Sequence, residues 1–320
     1  MANSAPALRP KKHSDYSARM RHKWSGSRAM NNFGTSDMVS PLRRVLVKKP
    51  AAAMATADPT TWHYSGSLTA DLLQRDHRAL IDILQDFGAE VLYLEQDPAE
   101  LADAVFTHDV SLATPYGAVL CRMGKILRRG EQELHQAFYE SQNIPLLGRI
   151  EAPGTVEAGD CVWLDAKTLL VGLGFRTNRH GASQLQEILR PHQVEIHSFD
   201  LPVYQGSDAC LHLMSILSML DHDLALVLES MLPVRLMQFF RSRDIECVAA
   251  CEEEFKSSGT LNTNVLALAP RNCVVVEGYS ETHRRLQESG CTLHAFSGSE
   301  LCLKAEGGPT CLTRPLYRCP

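Results

Sequence analysis

Phe87-Gly88-Ala89-Glu90-Val91-Leu92-Tyr93-Leu94 holds a helix end, a one-residue cap and a strand within eight residues. Upstream, Leu73, His77, Leu80, Leu84 and Phe87 recur at three- and four-residue spacing, the apolar stripe of an amphipathic helix. His77 reads as a core-edge histidine on that stripe. Gly88 closes the helix, because glycine takes the left-handed cap conformation without a side-chain clash. Residues 89–94 then read as a strand. The same helix–turn–strand ending returns over residues 139–147, 189–199, 239–249 and 286–296. That makes five units, spaced about fifty residues apart, a period that marks a repeat architecture.

Paired strands run between these endings. Val110-Ser111-Leu112-Ala113-Thr114 faces Ala118-Val119-Leu120-Cys121 across Pro115-Tyr116-Gly117. Cys161-Val162-Trp163-Leu164 faces Leu169-Leu170-Val171-Gly172. Arg44-Val45-Leu46-Val47-Lys48 is a further strand, stopped by Pro50. Each unit reads hairpin, helix, strand. Such a unit cannot bury both faces alone, so the units are expected to pack around a shared centre. A doubly wound sheet is the alternative, but frequent hairpins argue against an all-parallel sheet.

The bulk composition excludes several classes. The chain has 320 residues, 44% of them apolar, so a sizeable core is available. A net charge of -5 argues against a nucleic-acid partner. No apolar run approaches about 18 residues, so no membrane partner or membrane-spanning helix is expected. The first residues lack the apolar centre of a secretory signal. The ten cysteines therefore read as reduced thiols of a cytoplasmic protein. Cys247 and Cys251 form a lone CxxxC without a second ligand pair, so no metal is expected there. Residues 1–34 read as a flexible basic arm, with Arg9, Lys11, Lys12, Arg19, Arg21, Lys23 and Arg28 against Asp15. An organellar transit peptide is the alternative for this arm.

Polar residues break the repeat in a few loops. Near the C-terminus, Gly307-Gly308-Pro309-Thr310-Cys311-Leu312-Thr313-Arg314-Pro315 sets one thiol in a stiff, tight turn. A structural cysteine needs no such setting; a reactive one does. A cysteine nucleophile needs an acid–base partner, and that histidine needs an orienting carboxylate. Cys311, His212 and Glu157 supply the three types, and equivalent positions in their repeat units would bring them together. Asp103 and Asp109 would make the pocket anionic and suited to a flat cation. Arg128 and Arg176 are placed to clamp a carboxylate at its other end.

Six motifs in order carry a family resemblance: Asp103-x-x-Phe106-x-x-Asp109, Arg128-Arg129-Gly130-Glu131, Glu157-Ala158-Gly159-Asp160, Arg176-Thr177-Asn178, Cys210-Leu211-His212-Leu213 and residues 307–313. Over residues 38–318 the chain resembles the guanidine-modifying superfamily of amidinotransferases, arginine deiminases and dimethylarginine dimethylaminohydrolases. The resemblance implies a five-bladed α/β propeller of pseudo-fivefold symmetry, with residues 35–320 as one catalytic domain. It implies Cys311 as nucleophile, His212 as general acid and base, and Glu157 as its orienting partner. It places Asp109 and Asp103 on the guanidinium and Arg128 and Arg176 on the substrate carboxylate. Asp160, counted with the substrate-binding residues, shapes the loop beside Gly159. No cofactor is implied, the partner is a small guanidinium substrate, and a homodimer is left open.

Arginine deiminases carry an acid two residues after the histidine, whereas this chain has Met214. A thioether packs against methyl groups, which points to Nω,Nω-dimethylarginine giving citrulline and dimethylamine. An arginine deiminase or other guanidine hydrolase, an amidinotransferase and a catalytically silent binding scaffold are the alternatives.

Overall fold

In the computed structural model, residues 32–207 and 209–319 are described. The basic arm expected over residues 1–34 lies outside this range up to residue 31. Within the described residues, Phe33 is buried and Gly34 N–H donates to Leu316 O.

Among the described residues, fifteen strands form five sheets of three. The first strand, β1 (Leu42–Val47), pairs in parallel with β2 (Glu90–Tyr93). Its other neighbour is the last strand, β15 (Arg314–Arg318), which runs antiparallel to it. The remaining sheets each come from one continuous segment. They are β3–β4–β5 (Ser111–Thr114, Gly117–Leu120, Leu146–Arg149), β6–β7–β8 (Cys161–Asp165, Thr168–Leu173, Glu195–Asp200), β9–β10–β11 (Leu217–Asp221, Leu224–Val227, Glu246–Ala249) and β12–β13–β14 (Leu266–Ala269, Asn272–Val276, Thr292–Phe296). In each of these the first two strands are an antiparallel hairpin and the third joins in parallel. This is the α/β propeller, and β15 completes the first blade with the end of the chain.

Each parallel pairing needs a crossover, and a helix supplies it. The crossover helices are α3 (Ala70–Asp86), α4 (Glu131–Ser141), α5 (Arg179–Leu189), α6 (Val234–Ser242) and α8 (Ser280–Glu288). Short helices α1 (Ala52–Thr56) and α2 (Pro59–Trp62) precede α3, and α7 (Glu252–Ser258) precedes β12. On α3, Leu73, His77, Leu80 and Leu84 are all buried, as the stripe requires. Leu80→Ala would cost about 3 kcal/mol for the lost burial and the cavity. Gly88 follows with φ +90°, the cap expected of it.

Burial falls from the first strand of a blade to the third. All of β3 and all but the last residue of β9 and β12 are buried, whereas β2 and β5 contain no buried residue. Strands covered on both faces carry continuous apolar runs, so β3, β9 and β12 show no alternation. The polar residues just before those inner strands stand out for that reason. Among the described residues, no helix is long and apolar enough to cross a membrane.

Candidate active site

Every blade sends a polar side chain from the loop that enters its inner strand. Asp109 precedes β3, Glu157 and Asp160 precede β6, His212 precedes β9, Asn264 precedes β12 and Cys311 precedes β15. Hydrogen bonds lace these loops together. His108 N–H donates to Cys311 O (3.1 Å), and Ala158 N–H donates to Asp109 O (2.8 Å). Leu213 N–H donates to Asp160 Oδ1 (2.8 Å), and His212 N–H donates to Ser215 Oγ (3.1 Å). The sulfur-bearing turn, the acidic loops and the histidine are thereby fixed around one centre.

Glu157 is fully buried and its carboxylate is fully used. Gly124 and Lys125 N–H donate to Oε1 at 2.9 and 3.0 Å. His212 Nε2–H donates to Oε2 at 2.7 Å, and Arg176 NH1 lies 3.4 Å from the same oxygen. Burial alone would raise this carboxyl. The hydrogen bond from His212 and the charges of Arg176 and His212 overcome that and hold it well below the usual range. Burial would likewise push His212 down, but the surrounding Cys210, Asp109 and Asp160 hold it well above its ordinary value. The imidazole is therefore a cation at neutral pH, with Nε2–H committed to Glu157 and Nδ1–H facing Asp109.

Asp109 presents one free oxygen. Arg128 NH1 donates to its Oδ2 at 2.6 Å, whereas Oδ1 is buried without a hydrogen-bond partner, 3.7 Å from His212 Nδ1. A buried, unpaired carboxylate oxygen is costly unless a donor arrives. Gly159 makes the approach feasible: a Cβ there would meet His212 Nδ1 and sit 2.7 Å from Asp109 Oδ1.

Cys311 is half-buried, and Asn264 Nδ2 donates to its sulfur at 3.2 Å. Burial pushes the thiol up to about 11, Asp109 adds to this, and His212 opposes it. Thr310 N–H holds the Asn264 amide through Oδ1 (3.0 Å), and the bare face of Gly308 lets Asn264 lie against the turn. Gly307 packs against the Phe106 ring, where any Cβ would enter the ring. The two glycines of the turn are therefore spaces for neighbours.

Two expectations need correction. Asp103 does not face the pocket with a free carboxylate: Tyr64 OH donates to Oδ1 (2.7 Å) and Lys125 Nζ donates to Oδ2 (2.6 Å). Arg128 is no carboxylate clamp. It is 4% exposed, its Nε and NH2 donate to Glu131, NH1 to Asp109 and NH2 also to Phe106 O. Four of its five donors are thus committed within the protein, and it braces Asp109 from behind. Asp160 holds the Leu213 backbone through Oδ1 and so shapes the His212 loop, and its Oδ2 is buried without a hydrogen-bond partner. Burial raises its carboxyl to about 6.

Met214 also lies elsewhere than its expected use requires. It is buried and lines a cavity of about 10 Å³ with Met38, His108 and Ser218. Its flexible apolar chain fills the propeller core, and packing against substrate methyl groups is withdrawn as its role. Arg176 touches Glu157 and lines a separate cavity of about 150 Å³ with Phe175, Leu201, Tyr204 and Leu211. Sequence reasoning missed Asn264 and Cys210. The signal for Asn264 was its position: it occupies in the β12 unit the place that Asp109 and Cys311 occupy in theirs. Cys210 lay within a recognised motif, and its sulfur is 3.7 and 3.8 Å from the two ring nitrogens of His212.

A family model described as arginine deiminase matches residues 97–258 and 243–318. The N(G),N(G)-dimethylarginine dimethylaminohydrolase of Pseudomonas aeruginosa is 28% identical over 275 residues, covering 85% of this chain and 98% of that one. The arginine deiminase of Listeria welshimeri is 22% identical over 258 residues, 68% of this chain and 62% of that one. Among solved structures, a cysteine-to-serine mutant of the Pseudomonas enzyme complexed with citrulline has a TM-score of 0.70 at 24% identity. It covers 85% of this chain and 98% of its own. An amidinotransferase from Microseira wollei has a TM-score of 0.72 at 17% identity, over 90% and 98% of the two chains. At these identities the structural matches speak to the fold alone, and they agree with the five three-stranded blades.

Proposed function

The chain belongs to the arginine deiminase family, and on that premise we propose that it is a cysteine-dependent hydrolase of guanidinium compounds. The preferred substrate is Nω,Nω-dimethylarginine, which with water gives citrulline and dimethylamine. The observation that carries this reading is Asp109 Oδ1, a buried oxygen without a donor, beside a charged His212 and in the field of Cys311. A planar guanidinium supplies both the missing donor and the missing positive charge.

The chemistry follows from these states. At rest Cys311 is a thiol, because burial and Asp109 disfavour the thiolate. An arriving guanidinium neutralises that field, so the thiol releases its proton to solvent and the thiolate forms against the guanidinium carbon. Fixing the flat cation against sulfur contributes up to roughly 7 kcal/mol toward the barrier. The thiolate adds to the guanidinium carbon, and His212 donates its proton to the departing dimethylamine. An alkylthiouronium cation remains on Cys311. Neutral His212 then takes a proton from water, whose oxygen adds to the same carbon. Collapse breaks the carbon–sulfur bond, the hydroxyl proton passes to the departing sulfur to restore the Cys311 thiol, and the neutral ureido product is left. Glu157 keeps the imidazole oriented through both steps, and Arg176 receives the substrate carboxylate.

The match to the Pseudomonas aeruginosa dimethylarginine hydrolase, 28% identical over 85% of this chain and 98% of its own, supports dimethylarginine, and arginine is the second reading because an arginine deiminase of Listeria innocua is 23% identical over 90% and 98% of the two chains. The test is a panel of dimethylarginine, monomethylarginine, arginine, agmatine and simple guanidines, scored for ureido product. Dimethylarginine is expected to show the highest kcat/KM. Arginine turned over faster, with ammonia released, would reassign the chain as a deiminase. No turnover of any member would favour the silent scaffold.

A further inference from the structure

An α-amino acid carries an ammonium and a carboxylate on one carbon, so a site that selects it needs an anion and a cation side by side. Arg176 supplies the cation. Asp103 cannot supply the anion, because Tyr64 and Lys125 fill both of its oxygens. We propose that Glu306 receives the substrate's α-ammonium group and so selects free α-amino acids over acylated or des-amino guanidines. This rests on the hydrolase reading and adds recognition of the substrate's far end.

Glu306 opens the turn that carries Cys311. Gly307, beside it, packs on the Phe106 ring of the acidic motif. Ser65 N–H donates to Lys304 O at 2.8 Å, and Lys125 Nζ ties Trp62 O (2.9 Å) to Asp103 (2.6 Å). Glu306 thus sits where the 62–65 segment, the acidic motif and the catalytic turn meet. Its side chain is exposed, and among the described residues no hydrogen bond or ion pair takes its carboxylate.

The backbone also marks this residue. Gly307 N–H closes onto Cys302 O at 3.2 Å, which makes Glu306 the residue after a helical turn, a place glycine ordinarily fills. Its φ is +60°, a conformation that a side chain with a Cβ disfavours. Strain of this kind is kept where a site needs the side chain. The cleft walls push the Glu306 carboxyl up; His63, Lys125 and Arg176 oppose this without cancelling it, and Asp103 adds to it. Lys125 is committed to Asp103, and Arg176 NH1 lies on Glu157. The carboxylate is therefore short of positive charge, and an ammonium supplies it next to Arg176.

The test compares dimethylarginine with its des-amino and Nα-acetyl analogues, which keep the guanidinium and the carboxylate but lack the ammonium. The wild type is expected to show a KM about tenfold or more lower for dimethylarginine than for either analogue, at similar kcat. Glu306→Gln is expected to raise KM for dimethylarginine by about tenfold and to leave both analogues within about twofold. Glu306→Gly is expected to do the same while melting no lower than wild type, because glycine relieves the left-handed conformation. If the two variants leave KM for dimethylarginine unchanged, or raise it equally for all three compounds, the proposal is overturned. Calorimetry of the three compounds on Cys311→Ser, with and without Glu306→Gln, needs no turnover. Ammonium-dependent binding lost with Glu306→Gln, in a chain that releases no citrulline, would refute hydrolysis and uphold this subsite. Citrulline release indifferent to Glu306 would refute the subsite and uphold hydrolysis.

Discussion

Gly159→Ala isolates the contact on which the site depends. Gly159 does not adopt a positive φ, so alanine introduces no backbone strain there. What it introduces is one methyl group between Asp109 and His212. Its Cβ would lie 2.7 Å from Asp109 Oδ1, where an ordinary contact begins at 3.4 Å, and would be closer still to His212 Nδ1. One or both groups must retreat by about 1 Å, and a misplacement of that size costs about 100-fold in rate. Overpacking also destabilises, by about 1–3 kcal/mol. The expected result is a fall in kcat/KM of about two orders of magnitude with dimethylarginine, measured by citrulline release, in a protein that still melts cooperatively. Alkylation of Cys311 by a cationic haloacetamidine should slow in parallel, since the same carboxylate oxygen guides it. If Gly159→Ala keeps kcat/KM within about threefold of wild type while remaining folded, Asp109 and His212 do not act on one substrate carbon.

Cys311→Ser should abolish turnover while keeping the melting temperature and substrate binding; measurable citrulline release would remove Cys311 as nucleophile. Because Cys311 is pushed up to about 11, neutral iodoacetamide should label it slowly at pH 7 and faster toward that value. A cationic haloacetamidine should label it readily at pH 7, and equal rates for the two reagents at that pH would contradict the substrate-assisted thiolate. Asp103→Asn should lower stability by about 3 kcal/mol through the lost contact to Lys125, with little change in KM; a large KM effect at unchanged stability would return Asp103 to the guanidinium. The Glu157–His212 pair also sets a pH window for stability. Glu157 is depressed, so its contribution is present above its unfolded value and is lost as pH falls through the folded one. His212 is raised, so its contribution is complete below its unfolded value and is lost as pH rises through the folded one. Glu157→Gln should flatten the denaturation midpoint between those limits, and an unchanged profile would show that the pair adds nothing.

The sequence by itself determined the repeat and the residue types. The stripe of Leu73, Leu80 and Leu84 and the cap at Gly88 are local signals, fixed by helix period and backbone sterics. They survive translation into coordinates because neighbours in the chain decide them. Cys311, His212 and Glu157 were legible for a related reason: each is a polar group in a position that the repeat would otherwise fill with an apolar or turn residue. Tertiary structure alone decided which charged groups remain free. Asp103 and Asp109 look equivalent in Asp103-x-x-Phe106-x-x-Asp109, but Tyr64 and Lys125 saturate the first, while Arg128 leaves the second with one open oxygen. Those partners come from other segments, and hydrogen-bonding capacity is filled by whatever lies within about 3 Å, whatever its separation along the chain. The same holds for Arg128, for Met214 in the core and for the sulfur of Cys210 beside His212.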